Sequence, residues 1–501
     1  MIRPTALIAF LTLSLPAFAT DLQLECHQGA APGPSVVQVT GNPGEIVLLF
    51  VRGDQAGLPL STLLAPATTP LRDVPNGMVL GTTLDAAGAG SFDFDAQPAL
   101  AGRHVRFIAH GLTAGSGFSN VCRKTYLAPQ TIGNADWTAE SLCFFGDLFP
   151  EANGRMLAIG GAGPLAVDYD PQGEATSLNG LLSSAPAFLQ ARVQLADGRV
   201  LTLGGLSLSG APVADATLYD PTNGTTTTVG PMLAPRAGAA AARLANGKVL
   251  VVGGLTTIDL TDPTTFFGGI LGTSELFDPL TNAFTAGPTL IEPKAFATAT
   301  LLNNGQVLVA GGLGVLPLAN LPFVSNTAYV YNMNNTWGLL PKLFTDGRMF
   351  HSATKLADGR VLLTGGITAD LSGVLTTGDL TQIAFSTLGT SPLYSTFLFG
   401  SFSNGPTLAT TRAFQTATRL ASGQVLVAGG ISGSIDIAAI LGGTIQLPVP
   451  VASTELLTAT SATAGPDLST PRAGASALLD PSDGRVVILG GGPPWVELFQ
   501  P

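Results

Sequence analysis

One pattern of apolar and polar positions recurs along the last three quarters of the chain. A turn residue and a glycine are followed by a polar or basic residue, four apolar or small residues, and two glycines. Seven segments carry it: Asn153-Gly154-Arg155 to Gly160-Gly161, Asp197-Gly198-Arg199 to Gly204-Gly205, Asn246-Gly247-Lys248 to Gly253-Gly254, Asn304-Gly305-Gln306 to Gly311-Gly312, Asp358-Gly359-Arg360 to Gly365-Gly366, Ser422-Gly423-Gln424 to Gly429-Gly430, and Asp483-Gly484-Arg485 to Gly490-Gly491. In every unit the turn glycine precedes the doublet by six residues. Asp-Gly and Asn-Gly favour the positive φ of tight hairpins, so each segment predicts a turn followed by a strand. Runs such as Val249-Leu250-Val251-Val252 predict a short strand buried on both faces. The doublet predicts close backbone approach, where side chains would clash.

A third strand follows in most units: Ala166-Val167-Asp168-Tyr169-Asp170-Pro171, Thr217-Leu218-Tyr219-Asp220-Pro221, Glu275-Leu276-Phe277-Asp278-Pro279, Ala328-Tyr329-Val330-Tyr331 and Glu497-Leu498-Phe499. A fourth carries the exit, as in Asn335-Thr336-Trp337. Four strands per unit in seven units predict an all-β, seven-bladed propeller over residues 128–501. The glycine doublet after an apolar strand, the later aromatic and the tryptophan make this region resemble the kelch-repeat β-propeller family. The chain stops just after the third strand of unit seven. Residues 131–138, with Ile132-Gly133-Asn134-Ala135-Asp136-Trp137, read as a fourth strand without an owner and are expected to complete that unit, removing an open edge.

Residues 20–127 do not follow the repeat. Strand-like runs at 35–40, 45–52, 78–84 and 104–110 predict a small β-sandwich, immunoglobulin-like in pattern. Before it, residues 1–19 read as a secretory signal: Arg3, the apolar stretch 6–15, and Ala17-Phe18-Ala19 ahead of a cut before Thr20. No later segment holds a long uninterrupted apolar run, so the mature protein is expected to be secreted, extracellular or periplasmic, without a transmembrane segment. Export permits disulfides. Cys26 and Cys122 are expected to pair and clamp the N-terminal domain, a long loop whose closure is worth up to ~4 kcal/mol in the chain-entropy model. Cys143, in an apolar run with no histidine near it, reads as a buried thiol.

Composition agrees with a turn-rich β protein: 62 glycines, 36 prolines and only 11% charged residues. The net charge of -11 argues against a nucleic-acid surface.

Strand alternation puts the Asp-Gly turns and the third-to-fourth turns on one face of the units. It puts the second-to-third loops on the other. Those loops are long in four neighbouring units, at 255–272, 313–326, 367–392 and 431–452, and unusually apolar. They hold Phe266, Phe267, Phe323, Phe385 and Ile440. Such inserts either pack on one another as a cap or expose an apolar patch that binds a protein, glycan or lipid surface. At the same end, a basic residue opens the first strand of five units: Arg236, Lys294, Arg348, Arg412 and Arg472. These residues either bond carbonyls of neighbouring units or ring an anion-binding channel mouth.

The resemblance raises one chemistry to be tested. Some secreted kelch-like propellers resemble galactose oxidase, a copper-radical enzyme that needs two histidines and a Tyr–Cys crosslink near the channel. Only His351 lies in the repeat region; His27, His104 and His110 precede it. Copper chemistry is therefore not expected, and no cofactor is. The sequence points to a non-catalytic binding or adhesion protein. The alternative is a carbohydrate-active enzyme with an acid and a base at the channel mouth.

Overall fold

The structure is a computed structural model. It describes residues 23–27, 33–40, 46–53, 64–66, 72–74, 77–85, 89–96, 103–111, 118–126, 131–134, 146–160, 165–171, 175–182, 189–207, 209–257, 269–316, 321–370, 383–436, 449–491 and 496–501. Their regular secondary structure is almost wholly antiparallel strand, in two compact units, Met1–Tyr126 and Leu127–Pro501. No helix among them is long and apolar enough to cross a membrane.

The first unit holds two antiparallel sheets, one of four strands and one of five. Val39 and Phe92 of one sheet, and Leu49, Leu80 and Val105 of the other, are buried. The edge strand Gln23–His27 lies against the edge strand Phe118–Tyr126 of the other sheet. The side chains of Cys26 and Cys122, on those strands, and the whole of Cys143 lie outside the described residues, as does the signal-like segment 1–19.

In the second unit each repeat folds into its own antiparallel sheet. Unit three shows the plan: Ala240–Arg243, Val249–Val252, Ser274–Asp278 and Ala283–Ala286, in that spatial order. The second strand is buried along its whole length in every unit, as its uninterrupted apolar run requires. The asparagine or aspartate of the turn accepts a backbone hydrogen bond from the residue after the glycine, as with Asn246 and Lys248 at 3.1 Å. That Asx bond fixes the turn, and Gly247 takes φ +84° where a side chain would be strained.

In unit seven, Ser476–Leu479, Val486–Leu489 and Val496–Gln500 are joined by Thr131–Asn134 from before unit one. Ile132 stands opposite Phe499. Residues 135–138 of the closing segment are outside the described residues. From unit two to unit seven the first strands lie side by side in succession, and Gly146–Pro150 of unit one lies against Ser476–Leu479 of unit seven. Apolar side chains fill the seams. Leu195, Leu203 and Leu218 of unit two, for example, pack against Val249, Val251 and Phe277 of unit three.

Candidate functional site

The glycine doublets and the basic residues form one device. In five of the seven doublets the second glycine donates its N–H to the main-chain carbonyl of the basic residue opening the next unit. Gly205 to Arg236, Gly254 to Lys294, Gly312 to Arg348, Gly366 to Arg412 and Gly430 to Arg472 are all 2.8 Å. At the first glycine a Cβ would collide with that same carbonyl, at 2.6 Å for Gly429 against Arg472. Both glycines of these doublets have positive φ, +65° and +100° at Gly429 and Gly430. The doublet is thus the splice between neighbouring units.

The basic side chains turn inward. All five are at most 1% exposed. Arg236 donates from Nη1 to the carbonyl oxygens of Gly253 and Thr273, at 2.7 and 3.1 Å. Arg348 repeats this with Gly365 and Thr390, and Arg412 with Gly429 and Ser453. Arg472 reaches the carbonyl of Gly490 at 2.8 Å. These carbonyls belong to the residue's own unit, which corrects the expectation of neighbouring-unit carbonyls. It is the main chain of the basic residue, not its side chain, that bridges units. An anion in the channel meets none of these charges directly, because each is buried and partnered.

The partners are carboxylates that recur in the third strand. Glu275 takes Arg236 at 2.9 Å, Glu455 takes Arg412 at 2.8 Å, and Glu497 stands 3.3 Å from Arg472. The same carboxylates accept backbone N–H groups from the loop leading into the first strand: Leu233 and Ala234 on Glu275, Ala409 and Thr410 on Glu455, and Ser469 on Glu497. Each glutamate therefore ties strand three to the start of strand one. The sequence carries a signal for them, a lone acid in the otherwise apolar Glu275-Leu276-Phe277, Glu455-Leu456-Leu457 and Glu497-Leu498-Phe499.

Unit four solves the problem differently. Tyr329 occupies the glutamate position, opposite Val309 as Glu275 is opposite Val251. A lysine replaces the arginine. Lys294 is held by Glu292, Ser325 and Thr327 at 2.6 to 2.9 Å. Burial pulls its ammonium down to about 8, against the pull of Glu292. In unit five Pro392 stands one residue before Leu393, where the glutamate would be. Among the described residues the acid paired with Arg348 is Asp346, at 3.9 Å, and burial lowers the Arg348 pKa to about 10.

Two residues beyond each of the five basic positions, and at Leu189 two beyond Ala187 of unit two, is an inner row that the repeat pattern left unmarked. It runs Leu189, Gly238, Phe296, Phe350, Phe414 and Gly474, all with left-handed φ between +53° and +66°. Main-chain bonds link much of it: Gly238 N–H to Leu189, Phe296 to Gly238, Phe414 to Phe350 and Gly474 to Phe414. The three phenylalanines stack, with ring centroids 4.6 and 4.5 Å apart. They are only partly buried, and bulky residues hold this backbone conformation at a cost. The motifs Lys294-Ala295-Phe296, Arg348-Met349-Phe350 and Arg412-Ala413-Phe414 announce them in the sequence.

The described parts of the inserts build a second tier over this row. Ala237 bridges Leu255, which bridges Ile270; Met349 bridges Ile367 and Ala413 bridges Ile431. Leu313–Leu316 pairs with Leu321–Val324 and with Lys294–Ala295. The insert strand Ala384–Thr390 of unit five pairs with Ser434–Asp436 from the insert of unit six, Phe385 opposite Ile435. Leu255, Ile270, Leu313, Val315 and Ile367 form a buried cluster, with Phe385 and the three stacked rings against it. Phe323 and Phe385 are partly buried on this tier. Phe266, Phe267 and Ile440 lie outside the described residues.

Comparison with known proteins agrees with this geometry. No protein-family model matches the chain. A stretch of 120 residues, 24% of this chain, is 32% identical to alpha-scruin of Limulus polyphemus, a kelch-repeat protein, and spans 12% of that protein's length. Among solved structures, a fungal alcohol oxidase of the AA5 family in complex with copper superposes with a TM-score of 0.53 at 17% identity, over 73% of this chain and 76% of its own. The structure of YjhT gives 0.48 at 16%, over 65% and 98%. The fold is a β-propeller, similar to that of the oxidase.

The copper in that oxidase does not carry over. His351 is buried, with Nε2 2.9 Å from the Thr298 hydroxyl. Burial, then Arg348 and Lys294, hold its pKa well below the ordinary histidine value. Among the described residues no three His, Cys, Asp or Glu side chains converge on a metal position. The donor set among the described residues does not fit the metal.

Proposed function

We propose that this chain is an exported, non-catalytic binding protein. It pairs an immunoglobulin-like module with a seven-bladed kelch-type propeller, and it takes an apolar region of a protein partner on the insert-bearing face. The observation that carries this reading is the partly exposed Phe296–Phe350–Phe414 stack, held beneath insert strands that join units three to six. Stacked rings on a rigid backbone are the usual anchors of a protein interface. The alternative, a carbohydrate-active enzyme at the channel mouth, would draw its acid and base from the charged ring. There Glu275, Glu292, Glu455 and Glu497 are each held by a cation and by further hydrogen bonds.

The test uses the mature protein, a Phe350→Ala/Phe414→Ala variant, and a variant with residues 371–382 and 437–448 replaced by short turns. Each is screened against immobilised envelope proteins, glycans and lipid vesicles, with circular dichroism as the control for folding. Loss of a protein ligand in both folded variants supports the reading. Unchanged capture, or turnover of a glycan, overturns it. Mass spectrometry of the exported protein should give an N-terminus at Thr20 and a Cys26–Cys122 bond.

A further inference from the structure

The repeats serve as their own alignment, and two positions in unit one break it. In the third strand, the residue opposite Leu157 is Asp168. In units two to seven the residue in that register is Leu218, Leu276, Val330, Leu393, Leu456 or Leu498. At the end of the first strand, the residue whose N–H bonds across the turn is Glu151. In units two to six it is Leu195, Leu244, Leu302, Leu356 or Leu420, and in unit seven it is Asp480, whose carboxylate caps Ser482 within its own turn. In units two, four, five and six the two apolar residues share one hydrophobic cluster at the seam with the next unit. Unit one has exchanged that apolar contact for two carboxyl groups.

The exchange opens a cavity of about 620 Å³ between units one and two, on the face of the Asp-Gly turns, away from the inserts. Its polar lining includes Glu151, Asp168, Asn179, Gln194, Asp197 and Asn223, and among the described residues no basic or aromatic side chain contributes. Asp168 is 7% exposed. Asn179 donates to both its oxygens at 2.7 and 2.8 Å, and Arg155 stands off at 3.9 Å. The Tyr219 hydroxyl in turn donates to the Asn179 side-chain oxygen, which fixes the amide. The Oε2 of Glu151 is shielded from solvent and has no hydrogen-bond partner among the described residues. A buried carboxyl at Asp168 and a partly buried one at Glu151, in place of leucines, cost stability, and such exchanges concentrate where a ligand repays them.

We propose that this cavity binds an organic cation, a ligand carrying a primary ammonium group that sits between Glu151 and Asp168. Two facing carboxyls with one distant arginine leave a charge that an ammonium would balance, while an anion would be repelled. The size of the cavity suits an organic molecule or a lysine side chain. Around Glu151, the charged groups are Asp168 on strand three, Arg155 past the turn and Asp197 on the turn of unit two. Asp220 caps Thr222 within its own turn. Burial first, and then Asp168, raise the Glu151 pKa. An ammonium favours the ionised carboxylate, so binding releases a proton and tightens as pH rises through that titration.

The test titrates spermidine, and separately a lysine-containing peptide, into the full chain by calorimetry from pH 5 to 8, in two buffers of different ionisation enthalpy. Expected are binding of one or both probes, proton release at low pH, and at least tenfold weaker binding in Glu151→Leu and in Asp168→Asn. Glu151→Leu, which restores the residue of the sister units, should also unfold at higher temperature. The spermidine arm marks a free amine and the peptide arm a lysine on a partner. Binding of neither probe, binding unchanged by both variants, or a lower unfolding temperature in Glu151→Leu overturns the proposal. The Phe350→Ala/Phe414→Ala variant should bind both probes as the parent does.

Discussion

A single guanidinium shows how much the ring depends on charge pairing away from water. Arg412 is fully buried, hydrogen-bonded to Gly429 and Ser453 and paired with Glu455, which is itself held by two backbone N–H groups. Removing one member of a buried pair leaves an uncompensated charge, which costs about 3–5 kcal/mol. Arg412→Met should therefore lower stability by that amount in urea unfolding, and adding Glu455→Leu should return part of it. The arginine positions were legible in the sequence through their fixed distance from the turn glycine. Their role was not, because the same spacing serves a buried pair and an exposed ring alike. The glutamates decide between the two, and their sequence distance from the arginine varies from 25 residues in Arg472–Glu497 to 43 in Arg412–Glu455.

At the scale of the element, the glycine doublet explains why each second strand must stop where it does. Gly365 has φ +62°, and a Cβ there would run into the carbonyl of Arg412 in the next unit. Gly365→Ala adds backbone strain to that collision and should cost about 2 kcal/mol or more, read as a lower denaturation midpoint. Gly359→Ala, at φ +85° on the same unit's turn, meets an amide side chain that can move and no main chain. It should cost less than Gly365→Ala. The doublets were readable as sites of close approach, since no other residue tolerates both the angle and the contact. What they approach is set by the neighbouring unit, from 31 residues along for Gly205 and Arg236 to 46 for Gly366 and Arg412. The short insert strands at Leu313–Leu316 and Ala384–Thr390 read as loops in the sequence, because part of their pairing reaches beyond their own insert, to Lys294–Ala295 and to Ser434–Asp436.

Across the whole repeat region, the strand Thr131–Asn134 gives the last sheet its fourth member and leaves Val496–Gln500 paired on both sides. Proline removes a ladder donor, and antiparallel neighbours alternate between bonded and non-bonded positions. The double variant Ile132→Pro/Gly133→Pro therefore breaks the pairing whichever residue is bonded. It should cost about 1–2 kcal/mol and leave a sheet edge prone to self-association, seen as concentration-dependent scattering. By itself, the sequence determined the repeat, the four-strand unit and the hairpin turns, because those are local. Short-range periodicity, Asx turns and glycine angles act within a dozen residues. Only the tertiary structure decided that five basic side chains point inward, that three phenylalanines stack, and that Glu151 and Asp168 face one cavity. Each of those facts depends on which atoms of a neighbouring unit fill the space beside a residue, and a chain position does not specify its neighbours until the units are side by side.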